Sequence, residues 1–154
     1  MKAQLAAVLV ICLTSLILTG CATKISTDKN APTGPVSATL TLHETQASYW
    51  ASAQGGKGDI TFNGETHEFS IRGIGAGGTG LQKITATGKV YNMETLSDFP
   101  GVYTGVRSGF TIIKGKISAK LTNENGVVLY LTGTTTGLAR WLGTDKLEIT
   151  LTNP

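Results

Sequence analysis

The sequence has little of what most metalloproteins, disulfide-rich domains and nucleic-acid-binding proteins use. Two cysteines and two histidines among 154 residues provide few ligands for a metal and few partners for disulfides. Charged residues make up only 15% of the chain, and a formal net charge of +3 is too small for a dedicated nucleic-acid-binding protein. We therefore expect no cofactor and no nucleic-acid partner. The length favours a single compact domain.

The one long apolar run lies at the N-terminus. Met1-Lys2 precedes apolar residues 3–18, a run that is short for a bilayer span and has the order of a secretory signal. It ends in Leu18-Thr19-Gly20-Cys21, which resembles the lipobox of bacterial lipoproteins. The resemblance implies that residues 1–20 are a signal peptide and that Cys21 carries acyl chains such as palmitate. The alternative is an ordinary signal peptide that happens to contain a cysteine.

A polar segment separates this signal from the rest of the chain. Residues 21–36 contain Pro32 and Pro35 and have no apolar period, which predicts a flexible lipidated tether before a single domain at residues 37–154. Ala22, rather than an aspartate, follows the cysteine. By resemblance to sorted lipoproteins, this implies an anchor in the outer membrane, with the domain facing the periplasm.

Beyond residue 36 the dominant hydrophobic period is two. Short runs rich in threonine and β-branched residues alternate with glycines, and the only helical spacing covers residues 92–99. The pattern predicts an all-β domain of about eight short strands. Because glycines inside the strand patterns suit the corners of a small barrel, we predict a compact antiparallel β-barrel with one short helix as a plug. A β-sandwich is the alternative.

Two Asn-Gly pairs predict hairpins. Asn63-Gly64 suits a two-residue type I′ turn, which places Ile60 opposite His67 and lets Phe69 cover the bare Gly58.

Asn125-Gly126 predicts a second hairpin. A loop of two or four residues puts the inward residues of its first strand (Ile117, Ala119, Leu121) on one face with Val128 and Tyr130. The other face of the second strand is also apolar, so we expect the helix at Asn92–Phe99, capped by Asn92, to cover it.

Motifs that would indicate an enzyme are incomplete. Gly73–Gly78 matches G-x-G-x-x-G, but residues 81–91 alternate as a strand where a dinucleotide site needs a helix, so we interpret the motif as a glycine loop. His43 and His67 each precede a glutamate, but neighbours in a strand point to opposite faces. We therefore expect a non-enzymatic role. The alternative is a hydrolase whose site, for example His67 with a distant carboxylate, is assembled only in three dimensions.

One segment is locally basic. Between Asp98 and Glu124 no acidic residue occurs, while Arg107, Lys114, Lys116 and Lys120 do. The three lysines share one strand parity and could form a stripe facing anionic headgroups, so we take these four residues as candidate ligand or membrane contacts. The alternative is a solvated strand face whose lysines discourage edge pairing. We interpret Tyr49-Trp50 and Trp141 as core, with interfacial contact as the alternative.

The stretches Ala86–Tyr103, Asn123–Leu129 and Gly137–Gly143 resemble a group of small proteobacterial envelope proteins of unassigned function. More distantly, the glycine-rich all-β pattern is similar to envelope-integrity proteins and to the SYLF lipid-binding domain. This resemblance implies a small barrel that contacts lipid, and it assigns no catalytic residue. The expected function is therefore binding of anionic lipid or another amphipathic ligand in the envelope, with an interaction module for an envelope protein complex as the alternative.

Overall fold

The computed structural model describes residues 32–152, apart from the side chain of Phe110. It contains four strands, β1 (Ala38–Phe62), β2 (Glu65–Tyr91), β3 (Gly101–Thr122) and β4 (Val128–Leu151), and one 3-10 helix, Leu96–Asp98. The strands form one antiparallel sheet in the order β1-β2-β4-β3. The all-β prediction is confirmed. The predicted signal peptide, Cys21 and most of the tether lie outside the described residues.

The strands are far longer than usual, and each bends near its middle. Their lengths are 25, 27, 22 and 24 residues, against about 5–6 for a typical strand. The edge strands bend where Trp50 and Ile113 adopt positive φ angles of 66° and 69°. The inner strands bend at glycines, among them Gly77 and Gly137 with φ of 106° and 132°. The eight short strands expected from the sequence are the halves of these four bent strands.

At the bends the sheet doubles back, so that its two halves form two facing layers. A Cβ placed on Gly56 would collide with the carbonyl oxygen of His43 in the same strand, and one on Gly105 would collide with that of Lys120. Glycine is therefore required where the two layers touch along each edge strand.

The predicted barrel is wrong. The sheet is not closed, because β1 and β3 remain its edge strands. Glycines at the bends, such as Gly77 and Gly137, let the sheet crease across its strands instead of forming the corners of a barrel. The two facing layers are closer to the β-sandwich alternative, although both belong to one sheet.

The connection between β2 and β3 requires this fold. Tyr91 at the end of β2 pairs with Val128, whereas Gly101 at the start of β3 pairs with Ile149, at the other end of β4. In a straight sheet these points would lie about 70 Å apart, at ~3.3 Å per residue. Residues 92–100 can span only about 35 Å. The two ends of the sheet must therefore lie side by side.

The hydrophobic core lies between the layers at the end where this connection crosses. Phe99 is fully buried, with its ring 5.2 Å from that of Phe69 and 6.3 Å from that of Tyr103. The Tyr103 hydroxyl donates a hydrogen bond of 2.6 Å to the Phe99 carbonyl. Both layers contribute aliphatic side chains, among them Leu40, Leu42, Ile84, Leu129, Leu131, Ile60, Ile71, Leu147 and Ile149.

The first predicted hairpin is confirmed, including its register. Ile60 pairs with His67, and Gly58 pairs with Phe69. Asn63 and Gly64 have φ angles of 51° and 86°, as a type I′ turn needs. A Cβ on Gly58 would lie 2.5 Å from the Phe69 ring, so the ring covers the glycine as expected.

The second hairpin differs from its prediction by one residue. Thr122 pairs with Val128 across a five-residue turn, which the Asn123 side chain closes by accepting a 2.9 Å hydrogen bond from the Val127 amide. The odd loop length places Leu129 and Leu131, rather than Val128 and Tyr130, on the face of Leu121. Tyr130 is buried as well, so β4 is covered on both sides here as expected.

The predicted plug is shorter than a helix over residues 92–99. Only Leu96–Asp98 is helical, and the cap is Thr95 rather than Asn92, which has a positive φ of 58°. The Asp98 carboxylate accepts hydrogen bonds from the Thr95 amide at 2.8 Å and the Glu94 amide at 3.2 Å. These contacts lower the pKa of Asp98, with the Thr95 amide contributing most. Met93 and Phe99 are nevertheless buried, so the segment closes this end of the core.

Two adjacent glycines test the contact between the layers. We expect Gly56→Ala to destabilise the domain by about 1–3 kcal/mol, because its methyl group meets the His43 backbone. Gly55→Ala is the matched control, since its Cβ has only the Ile71 carbonyl oxygen at 3.9 Å. The measurement is urea unfolding followed by circular dichroism. Equal midpoints for the two variants would contradict the two-layer arrangement.

Candidate functional site

The bent end of the sheet exposes large apolar side chains. Trp50 and Ile113, at the bends of the two edge strands, are both 77% exposed, and Tyr49 is 81% exposed. We call this end the apolar tip and define it by Tyr49, Trp50, Leu81, Ile112, Ile113, Leu138 and Leu142, all of which are exposed. An exposed group of this kind marks a contact surface in a soluble domain.

Strand register makes the apolar tip continuous. Ala47, Leu81, Leu138 and Ile112 are successive pairing partners across all four strands, so they form one outward row. Trp50 and Ile113 lie at the two ends of this row, on the edge strands. The residues come from four separate sequence segments, and only the sheet brings them together.

Cations flank the apolar tip. On the strand halves that carry exposed charges, the first ionised side chain away from the bend is a lysine or an arginine: Lys57, Arg72, Lys83, Lys114 or Arg140, with Lys146 next on β4. Exposed carboxylates on the strands, such as Asp59 and Glu148, lie beyond these cations. An apolar surface with a cationic border matches the acyl and anionic headgroup regions of a bilayer.

Behind the apolar tip, the interior is polar and charged. Arg107 is 1% exposed, and its guanidinium donates hydrogen bonds of 2.7 and 3.2 Å to the two carboxylate oxygens of Glu44. It also forms a salt bridge with Asp145. Asp145 in turn accepts a 3.2 Å hydrogen bond from Gln54. These contacts join β3 to β1 and β4 across the interior.

The buried cluster holds two carboxyl groups and one guanidinium. Burial raises the pKa of Glu44 and Asp145, although Arg107 opposes the shift in each case. Burial by itself lowers the pKa of Arg107, but the charges and hydrogen bonds of Glu44 and Asp145 together outweigh it and the pKa is raised. Arg107 thus lies between two carboxyl groups whose pKa values are both raised by burial.

A second polar layer adjoins the cluster. Gln82 donates a 2.6 Å hydrogen bond to Gln46, and the Thr111 hydroxyl donates one of 3.2 Å to Gln82. Thr111 and Thr135 also share a short hydrogen bond. Near the bends the sheet is therefore apolar outside and polar inside, the reverse of its other end, where leucines point inward and threonines outward.

The structure separates the four predicted contact residues. Lys114, Lys116 and Lys120 are exposed on one outward face of β3, as their parity predicted. Arg107 is not available as a surface contact, because it is buried and paired with Glu44 and Asp145. Arg107 has the opposite parity to the three lysines and therefore points to the inward face of β3.

The two aromatic segments interpreted as core differ in the structure. Trp141 is buried at 2% exposure, and its indole covers Gly78, where a Cβ would collide with the ring. Tyr49 and Trp50, interpreted as core, are instead the most exposed aromatic side chains at the apolar tip. A positive φ at Trp50 turns its side chain out of the strand alternation.

The glycine motif and the histidines lie outside this site. Gly73–Gly78 belongs to β2 rather than to a loop, and its inward glycines lie against Leu147 and Asp145. His67 is half-buried, and its Nε2 lies 3.8 Å from a carboxylate oxygen of the exposed Glu65. This pair is at the hairpin turn, far from the polar interior.

Among residues 32–152, no helix is long and apolar enough to cross a membrane. The same residues contain no cluster of three or more His, Cys, Asp or Glu side chains placed to hold a metal ion.

Comparison with known proteins gives no match to a family model, to a curated protein or to a solved structure. The site is therefore interpreted from its geometry alone.

Sequence reasoning missed Glu44, Asp145 and most of the apolar tip. One signal was present: Glu44, Gln46, Ser52 and Gln54 all occupy inward positions of the alternation that begins with Leu40 and Leu42. Continuing this parity predicts a polar interior. It does not identify Arg107 as the partner of Glu44, because 63 residues separate them.

The raised pKa of Asp145 predicts a pH dependence of stability. Because this pKa is raised in the folded state, the group's favourable contribution to the free energy of unfolding is fully present below about pH 4. The contribution is lost as the pH rises through the folded-state pKa. Asp145→Asn removes this dependence, so its melting temperature relative to wild type should increase as the pH is raised from about 4 to about 8. Asp59→Asn, at an exposed carboxyl, is the control. A constant difference across this range would contradict the assignment.

Proposed function

We propose that the protein is a membrane-anchored lipoprotein of the bacterial envelope with a non-enzymatic role, whose domain binds anionic lipid through the apolar tip. In this proposal Cys21 carries the lipid anchor, and the domain faces the periplasm, with its anchor in the outer membrane. The observation that carries the proposal is the exposure of Trp50 and Ile113 on the edge strands, at the two ends of a continuous apolar row with a cationic border.

The dimensions support insertion into one leaflet. Ala47 and Ala53 lie three residues from Trp50 on either side, which is about 10 Å along a strand. Lys57 lies seven residues away, or about 23 Å. One leaflet of hydrocarbon is about 15 Å thick, so the stretch from Ala47 to Ala53 fits within it while Lys57 lies at the depth of the headgroups. Exposed tyrosine and tryptophan are common at this interface.

The tether is long enough for the anchor and the apolar tip to share one bilayer. The tip lies about 40 Å from Ala38 along β1, at ~3.3 Å per residue. Residues 21–37 can extend to about 60 Å. Anchor and tip together would hold the domain along the membrane surface.

An interaction module in an envelope protein complex is the second candidate. The two edge strands β1 and β3 favour it, because an edge can accept a strand from another protein. Lys114, Lys116 and Lys120 lie on the edge strand β3 and would discourage such pairing there. We therefore place this candidate second.

Vesicle flotation of the domain lacking Cys21 tests the role of the apolar tip. We expect the wild-type domain to float with vesicles that contain phosphatidylglycerol, and less so at high salt, because screening weakens the cationic contacts. The double variant Trp50→Asn, Ile113→Asn should lose most of this binding. Asparagine tolerates a positive φ, so the bends should be retained while apolar area is removed.

Val36→Asn is the control, because Val36 is 43% exposed but lies at the opposite end of the domain. Vesicle binding that is retained by the double variant, or no vesicle binding by the wild type, would contradict lipid binding through the apolar tip. Either result would favour a protein partner.

The anchor is tested separately in cells. Cys21→Ala should abolish labelling by a radioactive fatty acid and release the protein from the membrane fraction, because no other cysteine follows residue 20. Cys12→Ala is the control, since it lies within the expected signal peptide. Membrane association and labelling that persist in Cys21→Ala would contradict lipidation at this residue.

A further inference from the structure

A groove runs along the outer face of the sheet beside the apolar tip. It crosses β2, β4 and β3 through three outward rows: Ala76, Thr144 and Val106; Ile74, Lys146 and Thr104; Arg72, Glu148 and Val102. Two adjoining cavities of about 580 and 520 Å³ occupy it and share Ile74 and Lys146. Volumes of this size suit a small-molecule ligand.

The walls of the groove combine apolar surface with cations. Ile74 is 66% exposed, Val106 57% and Val102 40%, so the groove offers three aliphatic side chains to a ligand. Among the described residues, neither Lys146 nor Arg72 has a carboxylate oxygen within 4.0 Å, although Glu148 also lines the groove. With two cations and one carboxylate, the groove favours an anion.

The groove begins at the apolar tip and ends at these polar groups. Val106 and Ala76 lie at the end nearest the bends, and Arg72 and Glu148 lie four residues further along their strands. A ligand lying in it would thus have its apolar part toward the tip and its polar part away from it.

We propose that this groove binds one single-chain anionic amphiphile, with the acyl chain along Ile74 and Val106 and the anionic group at Lys146 and Arg72. The proposal rests on the proposed function, since it names a lipid molecule that the same end of the domain would hold after extraction from a bilayer. Either a free fatty acid or a lysophospholipid presents this chemistry.

The experiment is a titration of the domain lacking Cys21 with dansyl-labelled undecanoate, below the concentration at which the probe aggregates. We expect saturable binding with one site per chain. Thr104→Trp places a large side chain in the groove at an exposed position and should weaken binding about tenfold or more. Lys146→Gln should weaken it about fivefold, the scale of a single charged contact, and reduce its salt dependence.

Matched controls lie on the outer face of the other layer. Thr134→Trp and Lys89→Gln change exposed residues outside the groove and should leave probe binding unaltered. Competition by lysophosphatidylglycerol, compared with competition by laurate, distinguishes the two sources of the amphiphile.

The outcomes separate this proposal from the previous one. Loss of vesicle flotation in Trp50→Asn, Ile113→Asn with probe binding retained would support the groove as an independent site. Absence of saturable probe binding in the wild type, or equal effects of Thr104→Trp and Thr134→Trp, would overturn the groove even if flotation is normal.

Discussion

The structure depends on a short connection between two distant points of a long sheet. Residues 92–100 link the end of β2 to the start of β3, which pair with opposite ends of β4. Because nine residues cannot cover the length of a straight strand of more than twenty, the sheet has to fold onto itself. Phe99 and Tyr103 then hold the connection in the core where the two ends of the sheet meet.

This fold-back creates two dissimilar ends. At the end with the connection, aliphatic and aromatic side chains fill the space between the layers, as in an ordinary sandwich. At the bent end, glycines and polar side chains face inward around Arg107, and large apolar side chains face outward. Burying a guanidinium requires paired carboxylates, and Glu44 and Asp145 supply them. The same geometry leaves Trp50 and Ile113 on the outside of a tight bend, where nothing in the described chain covers them.

The sequence predicted local features well where the signal is local. The Asn63-Gly64 turn sets the register of its hairpin because only residues that tolerate positive φ fit its centre. Prediction from the sequence failed at Asn125-Gly126, where one residue of loop length decides which side chains face inward. A shift of one residue exchanges the two faces of a strand. The lysines of β3 kept their predicted parity, whereas Arg107, at a position of the opposite parity, is buried rather than available for contact.

By itself, the sequence determined the all-β class, the alternation of each strand and the turn at Asn63-Gly64, because these depend on neighbours within a few residues. Only the tertiary structure decided that the sheet creases rather than closes, that Arg107 meets Glu44, and that Trp50 is exposed while Trp141 is buried. Each of these outcomes depends on contacts between segments tens of residues apart. Such contacts follow from how the layers fold together, which no periodicity within one strand encodes.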